Sequence, residues 1–456
     1  MSIRNQIKAI TCLCALYASL SGAVNTWAQQ SLTLAPVAQQ ASGTRGGTYA
    51  IRNARIFTLS GPEIENGTIV IRDGKIEAVG AGVAVPAGAQ EIDARGLSVY
   101  PGMMDAGTAL GLQEIALGVP GGVDMSEVGE MNPNASAINA VNPHSAHVNV
   151  TRVNGITSVV SLPRGGLISG QAAVINLDGT TTGEMAVVPQ AALVINFPRA
   201  ATSDGGGFFA PPTDIPITEA LSTRDKQIDR LRKLLRDAES YGRAQDAYAR
   251  DQKLPRPNQS VVLASLVPYV RGERPVIFGA DRESEIRAAV RFADEMRLKA
   301  IILGGGEAWK AAGLLKERNI PVIVTSVRDL PPLEDDYYDV LYANPAKLQQ
   351  AGVRFCISSG DNGPEVRDLP YHAGMAAAFG LPRDEALKAV TIYPAQIMGV
   401  ADRLGTIEVG KTANLAITDG DLLDARTHIR YLFINGRQLP LTSRHTELYE
   451  QFKDRR

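Results

Sequence analysis

The chain has 456 residues, 45% of them hydrophobic, and carries 46 basic and 48 acidic side chains for a formal net charge of −2. That composition supplies a large core and excludes a wholly disordered chain. The near-balanced charge, with no basic run, excludes the electrostatic footprint of a nucleic-acid binder and suits a small-molecule substrate or ligand.

At the N-terminus, Arg4 and Lys8 precede an apolar run from Ala9 to Ala23, too short for a comfortable membrane span. Small residues then suit cleavage after Ala28 or Ala23. The expectation is a signal peptide over 1–28, a mobile leader over 29–47, a periplasmic or secreted location, and no membrane attachment once the signal is removed. An uncleaved anchor is the alternative. Cys12 and Cys14 lie inside the apolar run, so cleavage would leave Cys356 as the only cysteine and exclude an intramolecular disulfide. Cys356 sits in the apolar stretch Val353–Ile357 and reads as a buried strand residue.

Short strands follow. Tyr49–Leu59 is one, and Thr68–Arg72 and Lys75–Val79 flank Asp73-Gly74, a strong hairpin signal. Glu91–Asp93 and Leu97–Tyr100 continue the pattern. The C-terminal stretch has the same character, with Leu415–Thr418 before Asp419-Gly420 and Ile429–Ile434 before Asn435-Gly436. The two ends therefore read as parts of one small β domain, 48–100 and 403–440, followed by a tail over 441–456.

Between them lies a segment, 101–402, in which strands and helices alternate. Ile156–Ser161, Leu193–Asn196, Pro275–Gly279, Lys299–Leu303, Val322–Thr325 and Phe355–Ser358 are apolar strands. Ser284–Met296 and Glu307–Arg318 have helical periodicity. Repeated β-then-α units imply a parallel sheet with right-handed crossovers, and their number suits a (β/α)8 barrel. The fold class is α/β: a TIM-like barrel plus a composite β-sandwich domain built from both chain ends. Two segments interrupt the barrel. Gly118–Asn142 is a Gly-, Asn- and Pro-rich loop, and Thr218–Lys253 is a charged surface helix with an apolar stripe of Ile228, Leu231, Leu234 and Leu235. Gly304-Gly305-Gly306, between a strand and a helix, is a weak anion-site signal.

Residues Pro101–Ala109 (Pro-Gly-Met-Met-Asp-Ala-Gly-Thr-Ala) resemble the end of the first barrel strand in the amidohydrolase superfamily, which usually reads Pro-Gly-hydrophobic-hydrophobic-Asp-x-His-x-His. Val366–Leu381, Ala386–Leu404 and Gly405–Thr418 resemble that family's segment after strand eight, its last barrel helix and its return into the β domain. The resemblance spans roughly 48–440 and points to the imidazolonepropionase-like branch. It implies a hydrolase of non-peptide C–N bonds, with a cyclic amide-like substrate and one or two divalent metals at the barrel mouth. Those metals take the two strand-one histidines, histidines ending strands five and six, and an aspartate ending strand eight. Here Gly107 and Ala109 hold the strand-one positions, Gly279 the strand-five position and Gly304–Gly306 the strand-six position; only Asp361 of strand eight is kept. Glycine and alanine offer no donor atoms, so with one ligand position of five kept the resemblance does not carry a zinc site over, and no residue is assigned as a metal ligand.

Asp361 is then the candidate catalytic residue, a general base toward water. Arg164, Gln171 and His372 are the candidate substrate-binding residues: Arg164 and Gln171 from the glycine-rich stretch Arg164–Gln171, read as a tight loop able to hold a carboxylate or amide, and His372 from the segment after strand eight. Asp105 and Asp281, if they converge with Asp361, would suit a hard cation such as Mg²⁺ or Ca²⁺; a structural role for both is the alternative. His144 and His147 would share a face if helical, and otherwise are surface residues. Two functions stay open: an exported hydrolase, and a catalytically silent family member that binds a small molecule, assembles with itself, or partners an active relative. The missing histidines mark this chain as a candidate pseudoenzyme.

Overall fold

The computed structural model describes residues 47–115, 123–203, 213–360 and 363–455, and two eight-stranded sheets organise them. The expected signal peptide and most of the expected leader lie outside these residues.

The first sheet takes strands from both chain ends: β1 (Tyr49–Ile56), β2 (Ile64–Arg72), β3 (Lys75–Gly80), β4 (Gln90–Asp93) and β5 (Ser98–Pro101), then β14 (Leu415–Thr418), β15 (Ile429–Ile434) and β16 (Arg437–Leu439). Its order is β16-β15-β14-β5-β1-β2-β3, with β4 also on β1, so the junction of the two chain ends is the antiparallel pair of β5 and β14. Ile51, Ile69, Ile71, Ile417 and Phe433 fill one core, in which Tyr49 meets Phe433 edge to face at 5.1 Å. The β2–β3 turn has positive φ at Asp73 (50°) and Gly74 (81°), and the β15–β16 turn at Asn435 (53°) and Gly436 (71°). These are the two-residue turns whose twist matches the strands. They also touch: a Cβ on Gly436 would lie 2.5 Å from the Cα of Gly74, so that glycine is needed for space as well as for φ.

The second sheet is the barrel: β6 (Met103–Thr108), β7 (Ile156–Ser161), β8 (Ile168–Asn176), β9 (Ala186–Asn196), β10 (Val276–Ala280), β11 (Ala300–Gly304), β12 (Val322–Val324) and β13 (Phe355–Ile357), paired in chain order. Helices Glu283–Met296, Ala312–Glu317 and Asn344–Ala351 make the crossovers among β10 to β13. Alternate residues face inward, as the period of two requires. Met104, Val160, Val194, Ile277, Ile301, Ile323 and Cys356 form one buried cluster, while Phe278, Ile302, Val322 and Ile357 belong to another that includes the outer helices. Cys356 is fully buried in its strand.

Two departures from a regular barrel matter for the mouth. β8 runs antiparallel to both β7 and β9, because the link 162–167 is too short for a crossover helix and the chain turns straight back. Ile168–Gln171, expected as loop, are therefore strand. In addition, β13 and β6 share no ladder. The backbone after helix Arg383–Lys388 fills the gap, its Ala389 carbonyl accepting from Ile357 N at 2.9 Å and its Val390 carbonyl from Met104 N at 2.8 Å.

Helix Ile217–Arg250 lies between β9 and β10 and packs on helix Val261–Val270, burying Leu231, Leu235 and Ala238. The expected C-terminal tail carries helix Arg444–Phe452. Among the described residues no helix is long and apolar enough to cross a membrane.

Candidate active site

Where β6 and β13 end side by side, the mouth is held shut by side chains. The Asp105 carboxylate is fully buried. It accepts from the Ser358 hydroxyl, from the Ser359 hydroxyl at 2.5 Å and backbone N at 3.0 Å, and from Gly107 N at 3.1 Å. Burial pushes this carboxyl above the ordinary aspartate range; the bonds from Ser358, Ser359 and Gly107 pull it back. Arg164 adds a second tie, its Nη2 donating at 3.3 Å both to the Gly107 carbonyl and to the Gly360 carbonyl. A guanidinium and a serine–aspartate clasp thus join strand one to strand eight.

The superfamily's metal positions can be tested against this geometry. At Gly107 a Cβ would lie 2.7 Å from Ser358 Oγ, 3.1 Å from Leu303 Cδ1 and 3.3 Å from Ile323 Cγ2, so the space of an imidazole is already occupied. Gly304 has φ +102°, disfavoured for a side chain, and the Asp281 carboxylate covers it. Among the described residues, no three His, Cys, Asp or Glu side chains gather where a metal could sit. The donor set does not fit the family's histidine-bound metal.

A few residues round the mouth the picture reverses. A cleft of about 630 Å³ opens over Gly279, Gly304 and Gly360, with Arg164, Asn196, Arg199, Asp281 and Glu285 among its walls. The first turns of helix Ile217–Arg250 close one side through Glu219, Thr223 and Gln227. Asn196, at the end of β9, donates through Nδ2 to the Gly166 carbonyl at 2.7 Å and to Ser169 Oγ at 3.2 Å, fixing the rim loop. The cleft walls displace water from the Asp281 carboxyl and push it above its ordinary range; Gly306 N and Arg199 oppose that shift, while Glu285 and Asp329 add to it. A perturbed carboxyl in a cleft at the C-terminal face of a barrel makes Asp281 a candidate for chemistry or binding.

The residues singled out in the sequence fall in different places. Arg164 lines the cleft. Gln171 is buried in β8, its Nε2 donating to the Pro133 carbonyl at 2.8 Å, and is not a cleft wall. His372 is buried within helix Leu369–Ala378, also away from the cleft lining. Asp361 lies outside the described residues. Asp105 and Asp281 do not converge: one is sealed under the clasp, the other stands in the open cleft. His144 precedes the helix cap Ser145 and His147 follows it, so they do not share a helical face; His147 Nε2 instead contacts the Glu114 carbonyl at 2.8 Å. The sequence pattern singles out neither Asn196 nor Arg199, and points to Asp281 only as a cation ligand or a structural residue, although each stands at or just past the C-terminal end of an apolar strand, where barrel sites are built.

A family model described as the amidohydrolase family matches residues 375–440. An imidazolonepropionase of Brucella anthropi is 25% identical over 441 residues, covering 82% of this chain and 93% of that protein. The imidazolonepropionase of Mesorhizobium japonicum is 31% identical over 152 residues, so that the match spans only 35% of that relative's length and 32% of this chain. The fold of an amidohydrolase from Thermotoga maritima superposes with a TM-score of 0.75 at 24% identity, over 86% of this chain and 99% of that one. Together these matches support the amidohydrolase superfamily, and within it the imidazolonepropionase-like branch. The chain shares the superfamily's barrel, while the described part of its mouth carries no histidine donors.

Proposed function

We propose that this amidohydrolase-family chain works through the cleft over Gly279, Gly304 and Gly360, where it binds a small polar, amide-like molecule without the histidine-bound metal chemistry of its superfamily. One observation carries this reading: the strand-five and strand-six ligand positions have become the glycine floor of a cleft that still holds Arg199 and Asp281, while the strand-one position is packed with Ser358, Leu303 and Ile323. The cleft has the size and polar walls of a small-molecule site. The rival reading is hydrolysis of a non-peptide C–N bond with Asp361 as general base: Asp361 takes a proton from water, the oxygen adds to the carbonyl carbon, and the nitrogen leaves with a proton. Kept aspartate and family membership support it; the lost electrophile argues for slow turnover, because nothing described at the mouth replaces the metal's polarisation of the carbonyl. Export rests on the Arg4–Ala28 pattern, and a homo-oligomer or a related active subunit remains a proposed partner.

The deciding experiment combines metal analysis, turnover of cyclic amides, and Asp361→Ala. The binding reading expects no stoichiometric zinc and no turnover that depends on Asp361. Turnover abolished by Asp361→Ala would transfer the conclusion to the hydrolase. Cell fractionation with antibody detection checks export, a cytoplasmic protein being the contrary result.

A further inference from the structure

The cleft over the glycine floor is one of two chambers. A second cavity of about 580 Å³ adjoins it, and Asp281 and Thr325 line both. The two differ in chemistry. In the first, Arg199 is an exposed guanidinium that makes no ion pair among the described residues, although it stands near enough to act on Asp281. Such a group is a receptor for a carboxylate. In the second, Leu330, Leu333 and Leu341 form an aliphatic wall; Leu330 is 83% and Leu333 48% exposed. Leucines left open to water on the wall of a cavity mark a place that an apolar group covers. Acidic side chains line both chambers, but Arg164 and Arg199 line the first and only Arg282 the second, so the first is the better place for a carboxylate. Between the chambers stands the Asp281 carboxylate, over Gly304.

We propose that the ligand is an N-acylated amino acid or a closely similar amphiphilic amide, with its carboxylate at Arg199, its amide N–H donated to Asp281 and its aliphatic acyl chain along Leu330, Leu333 and Leu341. The proposal rests on the cleft being the binding site and adds to it the class of molecule bound.

Titration calorimetry of the purified protein with N-octanoylglycine, N-acetylglycine and octanamide tests it. Each buried methylene contributes roughly fourfold in affinity. N-octanoylglycine is therefore expected to bind at least about tenfold tighter than N-acetylglycine, and about tenfold tighter than octanamide through the charged hydrogen bond. Arg199→Gln removes the advantage over octanamide and leaves that over N-acetylglycine. The double variant Leu330→Asp, Leu333→Asp does the reverse. Equal affinity for all three probes, or variants that weaken all three alike, overturns the proposed ligand class. In that event, binding that is still blocked by Gly279→Leu on the cleft floor leaves the cleft reading standing. Absence of binding by every probe removes both.

Discussion

Two arcs of the same barrel mouth have gone opposite ways. Between strands one and eight, Asp105, Ser358 and Ser359 form a buried knot with no room left for a ligand. Across strands five and six, glycines leave a floor under an open cleft. In the superfamily both arcs point histidines at a shared metal. The contrast shows that the two arcs differ in what stands where the superfamily pattern places its histidines. Where the strands meet without a backbone ladder, side chains fill and cross-link the space; where they are paired, β10 with β11, glycines leave it open. The serine–aspartate clasp thus ties the barrel seam that lacks a ladder.

The largest expected effect comes from breaking that tie. Asp105→Ala removes four hydrogen bonds at once, those donated by the Ser358 and Ser359 hydroxyls and by the N–H groups of Ser359 and Gly107. At about 1–3 kcal/mol for each buried unsatisfied group, partly offset by removing a buried charge, the loss should be on the order of 3–5 kcal/mol. Urea denaturation measures it; a loss below about 1 kcal/mol would mean that the seam does not depend on the clasp. Next comes insertion of the histidine that the superfamily pattern places at this position. Gly107→His should cost about 1–3 kcal/mol by overpacking against Ser358, Leu303 and Ile323. The double variant Gly107→His, Ala109→His should still take up no stoichiometric zinc by elemental analysis, whereas tight zinc binding would show the filled arc to be far more plastic than its packing implies.

Much of the architecture is legible in the sequence, and the reasons are local. Asp73-Gly74 and Asn435-Gly436 announce their hairpins because only two-residue turns with positive φ fit there, and strands such as Val276–Ala280 stand out as short apolar runs. β8 escapes the same reading: Gly165, Gly166 and Gly170 suggest a turn, yet Gly170, although φ is +134°, lies within the strand, close against the Ala135 carbonyl. At the mouth, missing donors can be read directly from Gly107, Ala109 and Gly279. What replaces them cannot. Asp105 finds Ser358 across 253 residues, a pairing that the barrel creates and no spacing encodes. Gln171 looks like a substrate ligand in a glycine-rich loop, and only the antiparallel course of β8 turns its amide toward Pro133.

Arg164 touches both arcs, which makes it the sharper probe of their division. Its Nη2 spans the Gly107 and Gly360 carbonyls, and its side chain also lines the cleft. Arg164→Met keeps much of the stem's packing and removes the donors. The bonds are long and partly exposed, so the expected loss is about 1–2 kcal/mol in urea unfolding, well below that of the clasp. A loss equal to that of Asp105→Ala would mean that guanidinium and clasp act as one unit, which the corresponding double variant would reveal as non-additive.

The smallest expected effect is a change of slope with pH. Asp105 has a folded-state pKa above its unfolded value, chiefly because it is buried. The protonated carboxyl is then favoured by folding, so its contribution is fully present below the ordinary aspartate range and is lost as pH rises through the raised folded value. Exposed carboxylates held low by partners, such as Asp419 beside His428 and Arg430, act with the opposite sign and mask this in the wild-type curve alone. The informative quantity is the difference in unfolding free energy between the wild type and Asp105→Asn, which does not titrate at this position. That difference should favour the wild type most at the acid end and shrink as pH rises from about 4, the ordinary aspartate value, toward neutrality. If it grows instead, the clasp holds the carboxylate rather than the acid. The hydrogen bonds from Ser358 and Ser359 would then outweigh burial, and the sealed arc would carry a fixed negative charge beneath Arg164.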